Sequence, residues 1–245
     1  MKGIILAGGS GSRLYPATRP VCKQLLPVFD KPMIYYPLAT LMRAGIRDIL
    51  IISTPEDTPK IRGMFQQGKL LGLNISYIIQ DKPRGIADAF ILGNKFIGND
   101  SVCLILGDNI FYGNGVGETI RSAIECNTGA TIFGYAVKDP HRYGVISFDK
   151  NFNIFSIEEK PKKPKSKYAV VGIYIYNNDV VSYAKKLLPS KRGELEITDL
   201  NNIYLKNKNL KVKIFGKGVA WLDTGTHTSL LDASTYIKVI EERQG

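Results

Sequence analysis

The chain has 245 residues, 44% hydrophobic and 22% charged, with 33 Lys plus Arg against 22 Asp plus Glu for a formal charge of +11. This is an ordinary globular composition, enough for one large domain or two small ones, and no apolar run approaches a membrane span. Cys22, Cys103 and Cys126 are widely spaced and there are two histidines, which argues against a disulfide framework and a zinc site; with no signal peptide expected ahead of Gly3, a cytoplasmic setting is the expectation.

The pattern opens with a buried strand over 3–8, which breaks into small residues and ends on Arg13-Leu14. Pro16, Pro20, Pro27 and Pro32 punctuate the long connection that follows, which carries Lys23-Gln24-Leu25-Leu26-Pro27. A loop of that length is usually functional. A helix is expected over 34–44, closed by Gly45, then a strand over 46–53. Asp57 is placed as the cap of a helix through 67. A strand over 75–80, a helix over 86–96 and a strand over 102–106 follow, the last ending on Gly107-Asp108-Asn109. A helix over 116–126 and a strand over 131–137 complete this half. After Pro140 the texture changes to strands at 145–148, 154–158 and 169–176. Helices follow at 179–188 and at 198–206, the second with Thr198 as cap. A strand over 211–215, the stretch Ala220-Trp221-Leu222-Asp223-Thr224-Gly225 and an amphipathic helix over 226–244 close the chain.

The β-loop-α order predicts an α/β fold, a Rossmann-like, mostly parallel sheet covered on both faces, with an antiparallel elaboration after residue 140. Ligands bind such sheets at the carboxyl ends of the strands, which puts Gly8 to Arg13, Gln80 and Asp108 together. No repeat or linker is visible, so the chain is read as one domain, 1–245.

Three glycines around Ser10 and Ser12 let a backbone approach an anion closely, and Arg13 adds a fork suited to phosphate oxygens. The dinucleotide fingerprint is excluded because its third glycine falls on Leu14. The Walker motif is excluded because Gly68-Lys69 and Gly216-Lys217 lack the following Ser or Thr. From these residues alone a flexible surface turn stays open. A helix cap or turn role likewise stays open for Asp108, against a metal or ribose ligand. The basic run Lys160-Pro161-Lys162-Lys163-Pro164-Lys165 has no interleaved aromatics and reads as a solvated loop rather than a nucleic-acid patch.

The order of glycine loop, lysine, strand-end aspartate, Glu-Glu-Lys and late aspartate resembles the sugar-phosphate nucleotidyltransferases. The matching stretches span nearly the whole chain: Gly3 to Pro16, Lys23 to Pro27, Lys31 to Leu38, Leu106 to Gly113, Glu158 to Pro161, Arg192 to Asp199 and Trp221 to His227. The resemblance implies a nucleotide-diphospho-sugar transferase-like fold, with a nucleotide-binding part about 1–137, a sugar-binding part about 138–225 and a C-terminal helix 226–245. It implies transfer of a nucleotidyl group from dTTP to glucose 1-phosphate with Mg2+, in a homotetramer, with no nucleic-acid or membrane partner. Asp108 and Asp223 would hold the metal. Arg13 and Lys23 would hold the triphosphate, with Gly8, Gly9, Gly11, Ser12 and Asp108 around the nucleotide. Gln24 and Gln80 would read the base, and Gly85 and Ile86 would wall it. Lys160 would hold the sugar phosphate; Asn109, Gly144, Glu159 and Val170 would contact the sugar. Without the resemblance, Glu159-Lys160 reads as a solvated pair.

Three features depart from the family pattern. Arg84 stands where many members have Asp, Asp88 where many have Gln, and Cys22 where a serine is usual. Both charge changes fall beside the base, so UTP or another hexose 1-phosphate remains an alternative, and a non-catalytic nucleotide- or RNA-binding module a distant one. Long members continue past the position of Gly245 with helices that help build a regulatory nucleotide site, so a short form without it is expected.

Overall fold

The computed structural model describes residues 1–9 and 11–244. The first half runs β1 (Lys2–Ala7), β2 (Pro27–Val28), β3 (Lys31–Pro32), α1 (Tyr35–Arg43), β4 (Asp48–Ser53), α2 (Thr58–Phe65), β5 (Asn74–Ile79), α3 (Asp88–Leu92), α4 (Asn94–Ile97), β6 (Val102–Leu106), β7 (Asn109–Gly113) and α5 (Val116–Glu125). The second half runs β8 (Ala130–Ala136), β9 (Gly144–Phe148), β10 (Ile154–Glu159), β11 (Tyr168–Tyr176), α6 (Asp179–Lys186), α7 (Ile197–Lys206), β12 (Leu210–Ile214), β13 (Val219–Asp223) and α8 (His227–Gln244).

The main sheet has the order β10-β9-β11-β6-β1-β4-β5, with β8 on the free edge of β11 and β12 beyond it. The pairs β6·β1, β1·β4 and β4·β5 are parallel. Their near-continuous apolar sequences follow from burial on both faces. In β4, Ile49 and Ile51 pack with α1, α2 and α5, while Leu50 and Ile52 pack on the opposite face with α3 and α6. A third, smaller core joins Val28, Met33, Tyr36 and Ile110 to Ala233 and Ile237 of α8.

β11 joins the parallel and antiparallel halves. One of its edges pairs with β8 along the strand, with an irregularity between Val170 and Tyr174. Its other edge is shared: Tyr168 and Ala169 pair with β9, and Ile173 to Tyr176 pair with β6. Between those stretches the two neighbours diverge, and the gap at Val170 to Gly172 opens the sheet where a ligand cavity lies.

Several local expectations are corrected. The helix expected over 86–96 is two short helices broken at Gly93. Asp57 stands at the N-cap of α2 as expected, but its carboxylate makes no capping bond and takes hydrogen bonds from the Cys22 N–H, the Thr54 hydroxyl and Lys60 instead, and the helix ends at Phe65 rather than at 67. Thr198 lies inside α7, whose N-terminal flanking residue is Glu196. The helix after Asn178 stops at Lys186, short of Leu188. β7 was not foreseen, and its pairing with β13 builds the site.

Candidate active site

β1 ends at Ala7, and the chain leaves the sheet through Gly8 and Gly9, with Gly9 and Gly11 at φ of 113° and 58°. The loop is pinned beyond that point. Leu14 N–H and the Thr18 hydroxyl both donate to the Gly11 carbonyl at 2.8 Å, and Leu14 is fully buried. Ser12 and Arg13 are left exposed above it. Gly8, Gly9, Gly11, Ser12, Arg13, Lys23, Gln24 and Asp108 line a cavity of about 210 Å³.

Lys23 and Gln24 sit in one buried turn of 3-10 helix. The Lys23 ammonium donates to Asp108 Oδ2 at 2.7 Å. Burial works against the ionised form of Asp108, but the charge of Lys23 and the hydrogen bonds from Lys23 and Asn109 outweigh it, leaving the carboxyl below its usual range. Gln24 Nε2 donates to the Gly8 carbonyl at 3.4 Å, while its Oε1 is buried with no partner among the described residues. A buried acceptor left open beside a glycine loop suits a ligand N–H or an ordered water.

The two aspartates are brought together by a pairing between distant segments. β7 starts directly after Asp108 and runs antiparallel to β13, with Asn109 opposite Asp223. The Thr224 hydroxyl closes the end by donating to the Asp108 carbonyl at 2.9 Å. Asp223 Oδ2 accepts from Arg142 at 2.8 Å and from the Tyr143 hydroxyl at 3.2 Å; its Oδ1 accepts from Gly225 N–H at 3.0 Å. Asn109 lies between these groups. Its Nδ2 donates to Asp108 Oδ1 at 3.0 Å, and its Oδ1 accepts from Gly172 N–H at 3.1 Å and Trp221 Nε1 at 2.7 Å. Each carboxylate thus has its own basic partner, so mutual repulsion does not by itself call for a metal between them.

Both aspartates line a second cavity of about 560 Å³ that also takes in Arg13, Ile86, Asn109, Gly144, Glu159, Lys160 and Val170. Glu159, the last residue of β10, accepts from the Thr198 hydroxyl at 2.6 Å. Lys160 has φ of 43°, its N–H donates to the Tyr143 carbonyl at 3.0 Å, and its ammonium lies 3.6 Å from Glu159. A lysine held in the left-handed region is not the backbone of a plain solvated strand pair.

Gln80 and Gly85 line neither cavity; each adjoins a residue that does, Gln80 through its side chain beside Gly8 and Gly85 as the chain neighbour of Ile86. Gln80 N–H extends the sheet to the Ser53 carbonyl at 2.8 Å, its Nε2 donates to Asp88 Oδ2 at 2.9 Å, and its Oε1 faces Gly8. Gly85, at φ of 97°, runs against the backbone of Leu195, where a β-carbon would stand 2.5 Å from the carbonyl oxygen. Leu195 clasps this turn on both sides, its N–H donating to the Arg84 carbonyl at 2.7 Å and its carbonyl accepting from Ala87 N–H at 3.3 Å.

Arg142, Tyr143, Trp221 and Thr198 line the larger cavity as well, and sequence reasoning passed over them as site residues. The available signal was the basic-aromatic pair directly before Gly144. Among the described residues no group of three or more His, Cys, Asp or Glu side chains is placed to hold a metal.

A family model described as nucleotidyl transferase matches residues 2–239. The chain belongs to the nucleotidyl transferase family.

Relatives of this nucleotidyl transferase include glucose-1-phosphate thymidylyltransferases of Neisseria meningitidis, 57% identical over all of this chain and 85% of that one, and of Mycobacterium tuberculosis, 54% identical with the same shares. Among solved structures, a Bacillus anthracis protein assigned to the same activity and crystallised with sucrose superposes with a TM-score of 0.88. It is 46% identical, over 96% of this chain and 94% of that one. A UDP-glucose pyrophosphorylase bound to UDP-glucose, 24% identical, shares the fold at a TM-score of 0.86, over 97% and 98% of the two chains. Nucleotidyl transferases act on a nucleoside triphosphate and a sugar phosphate, typically with a divalent metal. Among the described residues no helix is long and apolar enough to cross a membrane.

Proposed function

We propose that this nucleotidyl transferase moves a thymidylyl group from dTTP to glucose 1-phosphate, giving dTDP-glucose and pyrophosphate. The observation that carries the reading is the meeting of the two cavities at Arg13 and Asp108, residues that line both. The smaller cavity, over the glycine loop, suits a triphosphate. The larger, with Glu159 held by Thr198 and Lys160 at its rim, suits a sugar phosphate. The substrates themselves are taken from the names of the relatives.

A sugar phosphate oxygen is already ionised at neutral pH, so the reaction needs no general base. It attacks the α-phosphorus in line as the bond to the β-phosphate oxygen breaks and pyrophosphate leaves. The obstacle is repulsion between two anions, which positioned positive charge lowers. Arg13 and Lys23 face the triphosphate and steady the departing pyrophosphate; Lys160 holds the sugar phosphate. Asn109, Gly144, Glu159 and Val170 orient the hexose. Gly8, Gly9, Gly11 and Ser12 carry the nucleotide backbone contacts, Gln24 and Gln80 the base, and Gly85 with Ile86 its wall.

Two carboxylates, with no group of three such side chains among the described residues, make a donor set that fits Mg2+, which takes one or two carboxylates and completes its shell with phosphate oxygens and water. Asp108 and Asp223 would hold the ion, which when bound neutralises phosphate charge. Lys23 and Arg142, their partners in the free protein, would then be released toward the phosphates. We further propose a cytoplasmic homotetramer; three free thiols suit a reducing compartment.

The test is pyrophosphate release across a matrix of nucleoside triphosphates and sugar 1-phosphates. We expect dTTP with glucose 1-phosphate to lead. UTP should be used more weakly, by the roughly 1–3 kcal/mol that one methyl group is worth in an apolar pocket. ATP and GTP should fail, and efficient turnover of either would sink the proposal. Light scattering at four times the chain mass checks the assembly.

A further inference from the structure

We infer that Asp88, which is not itself in contact with either cavity, sets the choice among pyrimidines by fixing which way the Gln80 amide faces. The inference rests on the reading that Gln80 meets the base.

A glutamine side chain is a planar fork, acceptor on one tine and donor on the other. Rotated by half a turn, it offers the reverse pattern at almost no intrinsic cost. Its surroundings therefore decide what it reads. Here the backbone of Gln80 is locked to Ser53 by its N–H bond of 2.8 Å, and the residue is 8% exposed. Asp88 is the first residue of α3, 4% exposed, and is followed by Ala89 and Phe90, both fully buried. Its carboxylate cannot swing away, and a carboxylate accepts only. It takes one Gln80 N–H at 2.9 Å. The half-turn would set the Gln80 carbonyl against the Asp88 oxygen, two acceptors face to face out of water, which is costly.

The amide is thereby fixed in one hand. Its Oε1 lies on the glycine-loop side, 3.1 Å from where a β-carbon on Gly8 would stand. Among the hydrogen bonds of the described residues, the one made by this side chain is that of its Nε2 to Asp88. One N–H also remains, because Asp88 uses only one of two. The open fork thus offers an acceptor beside a donor. Thymine and uracil present the complement, the N3–H donor beside the C4 carbonyl. Cytosine presents the reverse, a bare N3 beside an amino group, and would need the half-turn that Asp88 forbids. The C5 methyl lies outside this fork, so Asp88 governs the choice against cytosine and leaves thymine against uracil to the apolar wall.

The experiment measures kcat/KM for dTTP, UTP and dCTP, with glucose 1-phosphate, in wild type, Asp88→Asn, Asp88→Ala and Gln80→Ala, with melting temperature alongside. An asparagine side chain both donates and accepts, and an alanine does neither, so both substitutions of Asp88 free the Gln80 amide to turn. We expect the dTTP-to-dCTP ratio to fall at least about tenfold in each, on the scale by which hydrogen-bonded sites discriminate. The loss should lie mainly in KM for dTTP, and the dTTP-to-UTP ratio should hold. General damage to the site would lower all three substrates together and leave the dCTP ratio alone. An unchanged dTTP-to-dCTP ratio in whichever Asp88 variant folds, with that ratio lost in Gln80→Ala, overturns the role of Asp88 and keeps the base site. An unchanged ratio in Gln80→Ala as well overturns the base site itself.

Discussion

Asp108→Asn is the perturbation for which the structure gives the most definite result. Both carboxylate oxygens accept: Oδ2 from the Lys23 ammonium at 2.7 Å, Oδ1 from Asn109 Nδ2 at 3.0 Å. The Asn109 amide cannot turn to accommodate a change, because its oxygen is held by Gly172 N–H and Trp221 Nε1. An amide at position 108 therefore sets its NH2 against a donor whichever way it faces. One unsatisfied donor costs about 1–3 kcal/mol, and exchanging a charge-assisted bond for a neutral one about 1 more. Lys23 also loses its counter-charge with its side chain only 8% exposed; the remaining acceptor and the adjoining cavity keep this below the roughly 3–5 kcal/mol of a fully buried broken pair. We expect a loss of about 2–4 kcal/mol, which for a chain of this size lowers Tm by roughly 5–15 °C. A domain stable by about 5–15 kcal/mol stays folded at 25 °C. A fall in turnover there, which we expect to be at least about a hundredfold, thus reports on the site and not on unfolding. Because the folded pKa of Asp108 is depressed, its contribution is complete above the unfolded value of about 3.9 and fades as pH falls through the lower folded value. The gap between wild type and variant should hold from neutral pH to about 5 and close below that. Thermal melts, denaturant titrations at several pH values and pyrophosphate release at 25 °C measure all three. A variant melting within about 2 °C of wild type with near-normal turnover would refute the reasoning.

Asp223→Asn keeps an acceptor for Arg142 but loses the charge, and turnover should again fall about a hundredfold, with partial recovery at raised magnesium; full wild-type activity in excess chelator would remove both aspartates from metal binding. Gly85→Ala should raise KM for dTTP and lower Tm, since a β-carbon there meets the Leu195 carbonyl at 2.5 Å on a backbone of positive φ; a kinetically silent variant would show that the turn does not border the base. Burial raises the Cys22 thiol to about 11 and Cys103 to about 12, while Cys126 is exposed. Iodoacetamide at neutral pH should label Cys126 alone, as read by mass spectrometry of the native protein.

The parallel half of the sheet was legible because its strands are buried on both faces, and Ile49-Leu50-Ile51-Ile52 can hardly be anything else. The strand-end rule then placed Gly8, Gln80 and Asp108 together without a contact map. β7 escaped because its partner, β13, lies more than a hundred residues on, and no local pattern carries such a pairing. Thr198 has the chemistry of a cap, and only the fold reveals that its hydroxyl serves Glu159 instead. Arg142 ends a short 3-10 turn and Tyr143 follows it in extended conformation, with no periodicity to betray which way they face. The charge change at Asp88 was visible in the sequence, but its effect depends on a hydrogen bond that no spacing rule supplies.

Leu195 lines neither cavity, yet its backbone clasps the turn from Arg84 to Ala87, and two residues later the chain enters α7, which carries Thr198 to Glu159. The proposed base wall and the proposed hexose anchor are therefore joined through one short stretch of chain. A ligand that stills one end leaves the other with less motion to lose when its own ligand arrives. Such coupling is reciprocal by linkage: whatever factor bound nucleotide adds to the affinity for sugar phosphate, bound sugar phosphate returns to the nucleotide.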